Sequence, residues 1–270
     1  IDLNGHVIQG NGSNIIFYIS NGHLTLNDSD PEKLHKFTTG SPWVLNENDG
    51  TEIVKGGVIT GGKAPAFDFM TGGVFVDSGA SFTMNGGNIV GCSAYNSTGS
   101  DGAGGVYNNG TFTMNGGSIR GCLSSGLFFG CGGVYNDRAG TMIANGGRIS
   151  DCNGYTSALY NNGTVRADAG AALTVFEGSV ENRNNIEDSA KCSVTFDLAD
   201  GSGNVTTQRV LRGQTVSQPG NPARDGYEFL GWFINGAAYD FIKPVTETTL
   251  TLTAQWSVKL SGSGTKESPY

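Results

Sequence analysis

The chain has 270 residues, 44 of them glycine, and carries 16 basic against 24 acidic side chains, a formal net charge of −8. Glycine is more than twice as frequent as the roughly 7% of ordinary soluble proteins, but the 7 prolines and the lack of a Gly-X-Y period exclude collagen. A hydrophobic content of 37%, with 10% aromatics, excludes disorder. The acidic balance, with no Lys/Arg-rich run, argues against a nucleic-acid partner. No apolar stretch approaches the roughly 18 residues of a membrane-spanning helix, so no membrane insertion is expected in this segment. The chain begins at Ile1 rather than Met, which reads as a piece excised from a longer protein.

In chain order, IDLNGHVIQG, NIIFYISNGHLTL and TEIVKGGVITGG read as irregular early coils of a repeating structure. The repeat itself is plain in FTMNGGNIVGC (Phe82 to Cys92), FTMNGGSIRGC (Phe112 to Cys122) and MIANGGRISDC (Met142 to Cys152). A second block follows the same beat: GGVFVDSG from Gly72, GGVYNNG from Gly104, GGVYNDRAG from Gly132 and SALYNNG from Ser157. Between the blocks lie excursions that shorten from Ser93–Ala103 through Leu123–Cys131 to Asn153–Thr156. TVRADAGAALTVFEGSV (Thr164 to Val180) reads as the last coil.

Apolar and polar residues alternate through Phe82-Thr83-Met84 and Phe112-Thr113-Met114, the period of a strand. A hairpin at Asn-Gly-Gly does not explain why the same side chain returns every 30 residues; a stack of parallel circuits does. That stack predicts columns of like residues. They are Phe82, Phe112 and Met142; Met84, Met114 and Ala144; Ile89, Ile119 and Ile149; and Val74, Val106, Val134 and Leu159. Glycine then marks the corners, where neighbouring coils approach closely.

On these blocks and the opening DLNGH, residues 1–188 resemble right-handed parallel β-helices of the pectin-lyase-like type, as found in glycine-rich repeats of bacterial surface proteins. From Lys191 the 30-residue period is lost. VTFD (Val194 to Asp197), GYEFLGW (Gly226 to Trp232), YDF (Tyr239 to Phe241) and TLTLTAQW (Thr249 to Trp256) resemble, in order, the internalin B-repeat or Listeria-Bacteroides repeat. The expected fold class is therefore all-β: a right-handed parallel β-helix over 1–188, a small β-grasp-like module over 191–258, and a linker over 259–270 leading to a further unit. The resemblance implies a secreted or wall-attached bacterial protein. Its work would be adhesion, spacing or display, its partners a glycan or a host surface protein, and its state monomeric.

A hydrolase on such a solenoid needs two or three converging carboxylates, yet Asp28, Asp30, Asp68, Asp77, Asp101, Asp137 and Asp151 are scattered, no two at one repeat position. Asp137-Arg138 is the least poor catalytic pair. A carbohydrate-active enzyme stays as the alternative, with no catalytic residue assigned. His6 and His23 read as structural, and His35 as a surface residue. No C-x-x-C occurs, so no metal or cofactor is expected; Cys92, Cys122 and Cys152 should form a free, buried column, while Cys131 could still meet Cys122 or a neighbour. The binding candidate is the column Phe75, Tyr107, Tyr135 and Tyr160, which points opposite to the valine column. If exposed, it offers rings on which sugars stack; if covered by the excursions carrying Tyr95, Leu127, Phe128 and Phe129, it merely packs.

Overall fold

A computed structural model describes residues 1–64, 71–95, 102–125 and 130–259. The chain divides into two compact units, Ile1–Lys191 and Cys192–Tyr270.

The first unit is a parallel β-helix of three six-stranded walls. The first wall comprises Val7–Gln9, Val58–Thr60, Asn88–Val90, Ser118–Arg120, Arg148–Ser150 and Val175–Phe176. The second comprises Phe17–Ile19, Val74–Val76, Val106–Asn108, Val134–Asn136, Leu159–Asn161 and Val180–Asn182. The third comprises His23–Leu26, Ser81–Met84, Thr111–Met114, Thr141–Ala144, Thr164–Arg166 and Asn185–Ile186. Each circuit visits the walls in that order, so every strand pairs in parallel with its copy one coil away.

The register is the one the repeat predicts. Phe112 pairs with Phe82 and Met142, Ile119 with Ile89 and Ile149, and Val134 with Val106 and Leu159. Phe82, Phe112, Met84, Met114, Ile89 and Ile119 are all fully buried, and the Phe82 and Phe112 rings stack at 5.3 Å. Asn-Gly-Gly forms a corner between the third and first walls, not a hairpin. Gly117 there has φ +74°, and a Cβ on it would lie 2.2 Å from the Gly87 carbonyl oxygen one coil away. Both positive φ and stacking distance therefore require glycine.

Two early readings need correction. TEIVKGGVITGG is not one coil segment: Val58–Thr60 belongs to the first wall, whereas Glu52–Lys55 joins Leu34–Thr38 and Val44–Leu45 in a separate antiparallel sheet of order Val44–Leu45, Leu34–Thr38, Glu52–Lys55. A single unrepeated copy carries no period to distinguish the two strands. This insertion packs Phe37, Trp43 and Val54 against Val58 and Val90, so parts of the first wall are buried on both faces. Nor is Thr164–Val180 the final coil. Thr164–Arg166 closes the fifth circuit and Val175–Phe176 opens a sixth, which runs to Ile186 and ends in a 3-10 turn at Asp188–Ala190.

The second unit is a mixed five-stranded sheet of order Val205–Leu211, Lys191–Asp197, Thr249–Val258, Tyr227–Ile234 and Ala237–Ala238. Lys191–Asp197 runs parallel to Thr249–Val258, and Tyr227–Ile234 antiparallel to it. The four recognised motifs converge here. Phe196 meets Trp232 edge-on at 5.0 Å and stacks on Phe241 at 6.4 Å, while Phe229 contacts both Trp232 and Trp256 at 5.5 Å. The Trp256 indole donates to the Leu198 carbonyl at 2.7 Å. A module this small gains its core from such large rings. All of the expected linker but Lys259 lies outside the described residues.

Candidate functional site

The second wall aligns the aromatic column as expected, and Tyr18, missed because its coil lacks the repeat signature, heads it. Successive ring centroids from Tyr18 through Phe75, Tyr107 and Tyr135 to Tyr160 lie 5.0, 5.2, 5.0 and 4.9 Å apart, with planes within 12°. The Arg183 guanidinium caps the far end, 5.7 Å from the Tyr160 ring. Tyr107, Tyr135 and Tyr160 are 4%, 0% and 2% exposed and cluster with Ala103 and Cys131. Of the two alternatives for this column, Tyr107, Tyr135 and Tyr160 follow the packed one, their ring faces lying against neighbouring rings, while Tyr18 at the head is 48% exposed. Of the residues expected to cover the column, Tyr95 is itself 52% exposed, and Leu127, Phe128 and Phe129 lie outside the described residues.

The carboxylates are less scattered than the sequence suggested, because Asp77 and Asp137 occupy one repeat position, alternating with Asn109 and Asn162. Their role is to hold the tyrosine column. Tyr18 donates to Asp77 at 3.2 Å and Tyr107 to Asp137 at 3.0 Å, while Asn162 donates to the Tyr135 hydroxyl at 2.9 Å. Burial, then the Asp77 carboxylate, push the Tyr18 hydroxyl above its ordinary pKa. Asp28 accepts from the Gly5 and Gly57 amides at 2.8 and 2.7 Å and so stitches the first coil to the second. Asp151 binds Arg120 at 3.0 Å; the same guanidinium nitrogen reaches Glu52 at 3.1 Å, and the group lies 4.8 Å from the Trp43 ring centroid. This knot fastens the insertion to the first wall. Asp68 and Asp101 lie outside the described residues.

His23 bridges Ser81 and Thr25 hydroxyls, both at 2.7 Å. His35 is 6% exposed rather than a surface residue. Its Nδ1 faces Glu47 at 2.7 Å and its Nε2 the Gly5 carbonyl at 2.8 Å. Burial pushes the Glu47 carboxyl up, but hydrogen bonds from His35 and the Lys36 amide outweigh it and leave the pKa below the ordinary value. All five cysteines are free and buried, Cys131 included. Burial pushes the Cys122 and Cys131 thiols well up, which makes them poor nucleophiles. Among the described residues no three His, Cys, Asp or Glu side chains could together hold a metal.

The sequence reading also missed two asparagine ladders. Inside the solenoid, Asn108 donates its amide to Asn136, Asn136 to Asn161 and Asn161 to Asn182, each at 2.7 Å. On the surface, Asn145 donates to Asn115, Asn115 to Asn85 and Asn85 to Asn27, at 2.8–2.9 Å. The repeated Asn of VYNNG and of MNGG was the available signal. Asn beside Gly is also the signature of turn chemistry, which hides the ladder in the sequence.

Residues 193–255 match the family model described as the Listeria-Bacteroides repeat domain. Among curated proteins, one from Evansella cellulosilytica, described as "Putative membrane protein", is 36% identical over 69 residues. That match takes in 24% of this chain and 10% of the relative, so the chain spans about a tenth of the relative's length. No solved structure matches.

Proposed function

We propose that this chain belongs to a non-catalytic bacterial cell-surface or secreted protein. Its solenoid, taken as right-handed and pectin-lyase-like, serves as spacer, adhesin and display scaffold toward a glycan or host protein. One observation carries the reading: the excursions between the first and second walls leave from a single edge. Their flanking residues are held in coil-to-coil register, Lys63 with Ser93, Leu123 with Asn153, and Thr71 with Ala103, Cys131 and Thr156. The bases of those excursions therefore repeat at intervals of about 4.8 Å along the coil stack. The Listeria-Bacteroides repeat and the relative's name favour the surface placement. The test is antibody binding to intact cells of the source bacterium, followed by glycan and host-protein arrays with the full chain. Antibody access only after lysis would overturn the surface role.

A further inference from the structure

Between the inserted sheet and the coil stack lies a cavity of about 180 Å³. It is smaller than the roughly 300–1,000 Å³ sites of drug-sized ligands, which limits its occupant to about one residue-sized group. Pro42, Trp43, Val44 and Leu45 give it an apolar side, and Thr60 and Ser93 add hydroxyls. Among the described residues lining it, Lys63 is the sole charged one; the residue is exposed and pairs with no acidic side chain among the described residues, in a chain of net charge −8. Two further lining residues, Val44 and Leu45, form an edge strand paired on one side only, with Leu34–Thr38.

The walls are fixed in advance. The Trp43 amide donates to the Gly121 carbonyl at 2.8 Å. A Cβ on Gly91 would lie 2.0 Å from the Trp43 carbonyl oxygen, so the tryptophan main chain sits flush on the coil. Such preorganisation lowers the cost of ordering a ligand.

We propose that this cavity binds the C-terminal end of an extended peptide, its last small apolar side chain inside and its carboxylate on Lys63. An apolar body, a single cation and a free strand edge match that chemistry: a peptide backbone adds to the edge, the side chain fills the apolar side, and the terminal charge meets the ammonium. A sugar acid would satisfy Lys63 but leave the apolar residues and the strand edge without matching groups. The inference rests on the cavity alone and is separable from the surface role.

The test uses the full chain labelled with nitrogen-15 at its three tryptophans, titrated with N-acetyl-alanyl-alanine, the same dipeptide as its C-terminal amide, and glucuronate. The expected result is movement of the Trp43 indole resonance with the free acid, and affinity about three- to fivefold weaker for the amide and for Lys63→Ala, the loss of an exposed ion pair. Lys63→Arg should retain binding. An unmoved Trp43 resonance, equal affinity for acid and amide, indifference to Lys63→Ala, or preference for glucuronate would each overturn the proposal.

Discussion

The buried asparagine ladder makes a quantitative test of what holds the coils together. Asn136 donates to Asn161 Oδ1 at 2.7 Å and to the Thr164 carbonyl at 3.0 Å, and accepts from Asn108 Nδ2 at 2.7 Å. Asn136→Ala deletes these three bonds and a longer, weaker one to the Gly140 carbonyl at 3.4 Å. The neighbours keep one partner each: Asn108 Nδ2 still donates to the Thr141 carbonyl, and Asn161 Oδ1 still accepts from the Gly163 amide. Each loss therefore costs about 1 kcal/mol rather than the full price of an orphaned group, a total of about 3 kcal/mol. Asn136→Asp is worse at neutral pH, because a carboxylate oxygen then faces the Asn161, Thr164 and Gly140 oxygens in a site with no exposure. Burial, with Asn108 Nδ2 as the one donor and the other carboxylate oxygen set against acceptors, raises that carboxyl's pKa in the folded state. Its penalty is absent below the unfolded value near 3.9 and grows by up to about 1.4 kcal/mol per pH unit as pH rises toward the folded value. Urea unfolding followed by circular dichroism should show both variants destabilised at pH 7, with only the Asp variant recovering as pH falls to 4. The matching control is Asn115→Ala on the exposed ladder, expected within about 0.5 kcal/mol of wild type. An Asn136→Asp variant as stable as wild type at pH 7, or one whose deficit ignores pH, would refute the reasoning.

Other outcomes follow from the same geometry. Gly121→Ala would place a methyl 2.2 Å from the Trp43 ring at φ +58°, so it should unseat Trp43, shift its fluorescence and lower stability by about 2–4 kcal/mol. Phe112→Ala removes the middle of the Phe82, Phe112 and Met142 column and should cost about 3–5 kcal/mol by the same urea assay. Glu47→Gln should flatten the acid limb of the stability curve: a carboxyl with a lowered folded pKa adds stability above its unfolded value of 4.5 and loses it as pH falls, and the Gln variant has no such proton to bind. Ellman's reagent should find all five thiols unreactive in the native chain and all five reactive in denaturant.

The repeated part of the fold was legible because identical spacing forces identical environments. Once Cys92, Cys122 and Cys152 are aligned, every hydrophobic column follows, and the structure has each of them in register. Unrepeated parts were not legible in this way. Glu52–Lys55 and Val58–Thr60 each carry one Ile and one Val in a short run, and the tertiary placement of Trp43 and Phe37 assigns the first to the insertion. His35 was misplaced because its partners, Glu47 and Gly5, lie 12 and 30 residues away. The aromatic column was read in its correct register, but its accessibility depended on stacking partners that alternation along a strand cannot reveal.

The features that escaped the repeat are also those that fix its frame. Ile89, Ile119 and Ile149 are interchangeable, so a hydrophobic column alone would tolerate a slip of one whole coil. The buried amide ladder does not tolerate it, because it is directional and has an end. Asn108 Oδ1 is buried without a donor, since the coil before it supplies Val76 at that position. A slip moving another asparagine over Val76, or Val76 between asparagines, would break further amide bonds in a site with no water to replace them. The Trp43 seat on Gly91 and Gly121 imposes the same restriction from outside, because the next coil has Asp151 at that repeat position. Non-identical residues thus give a stack of near-identical coils one register, at the cost of a single unsatisfied amide oxygen.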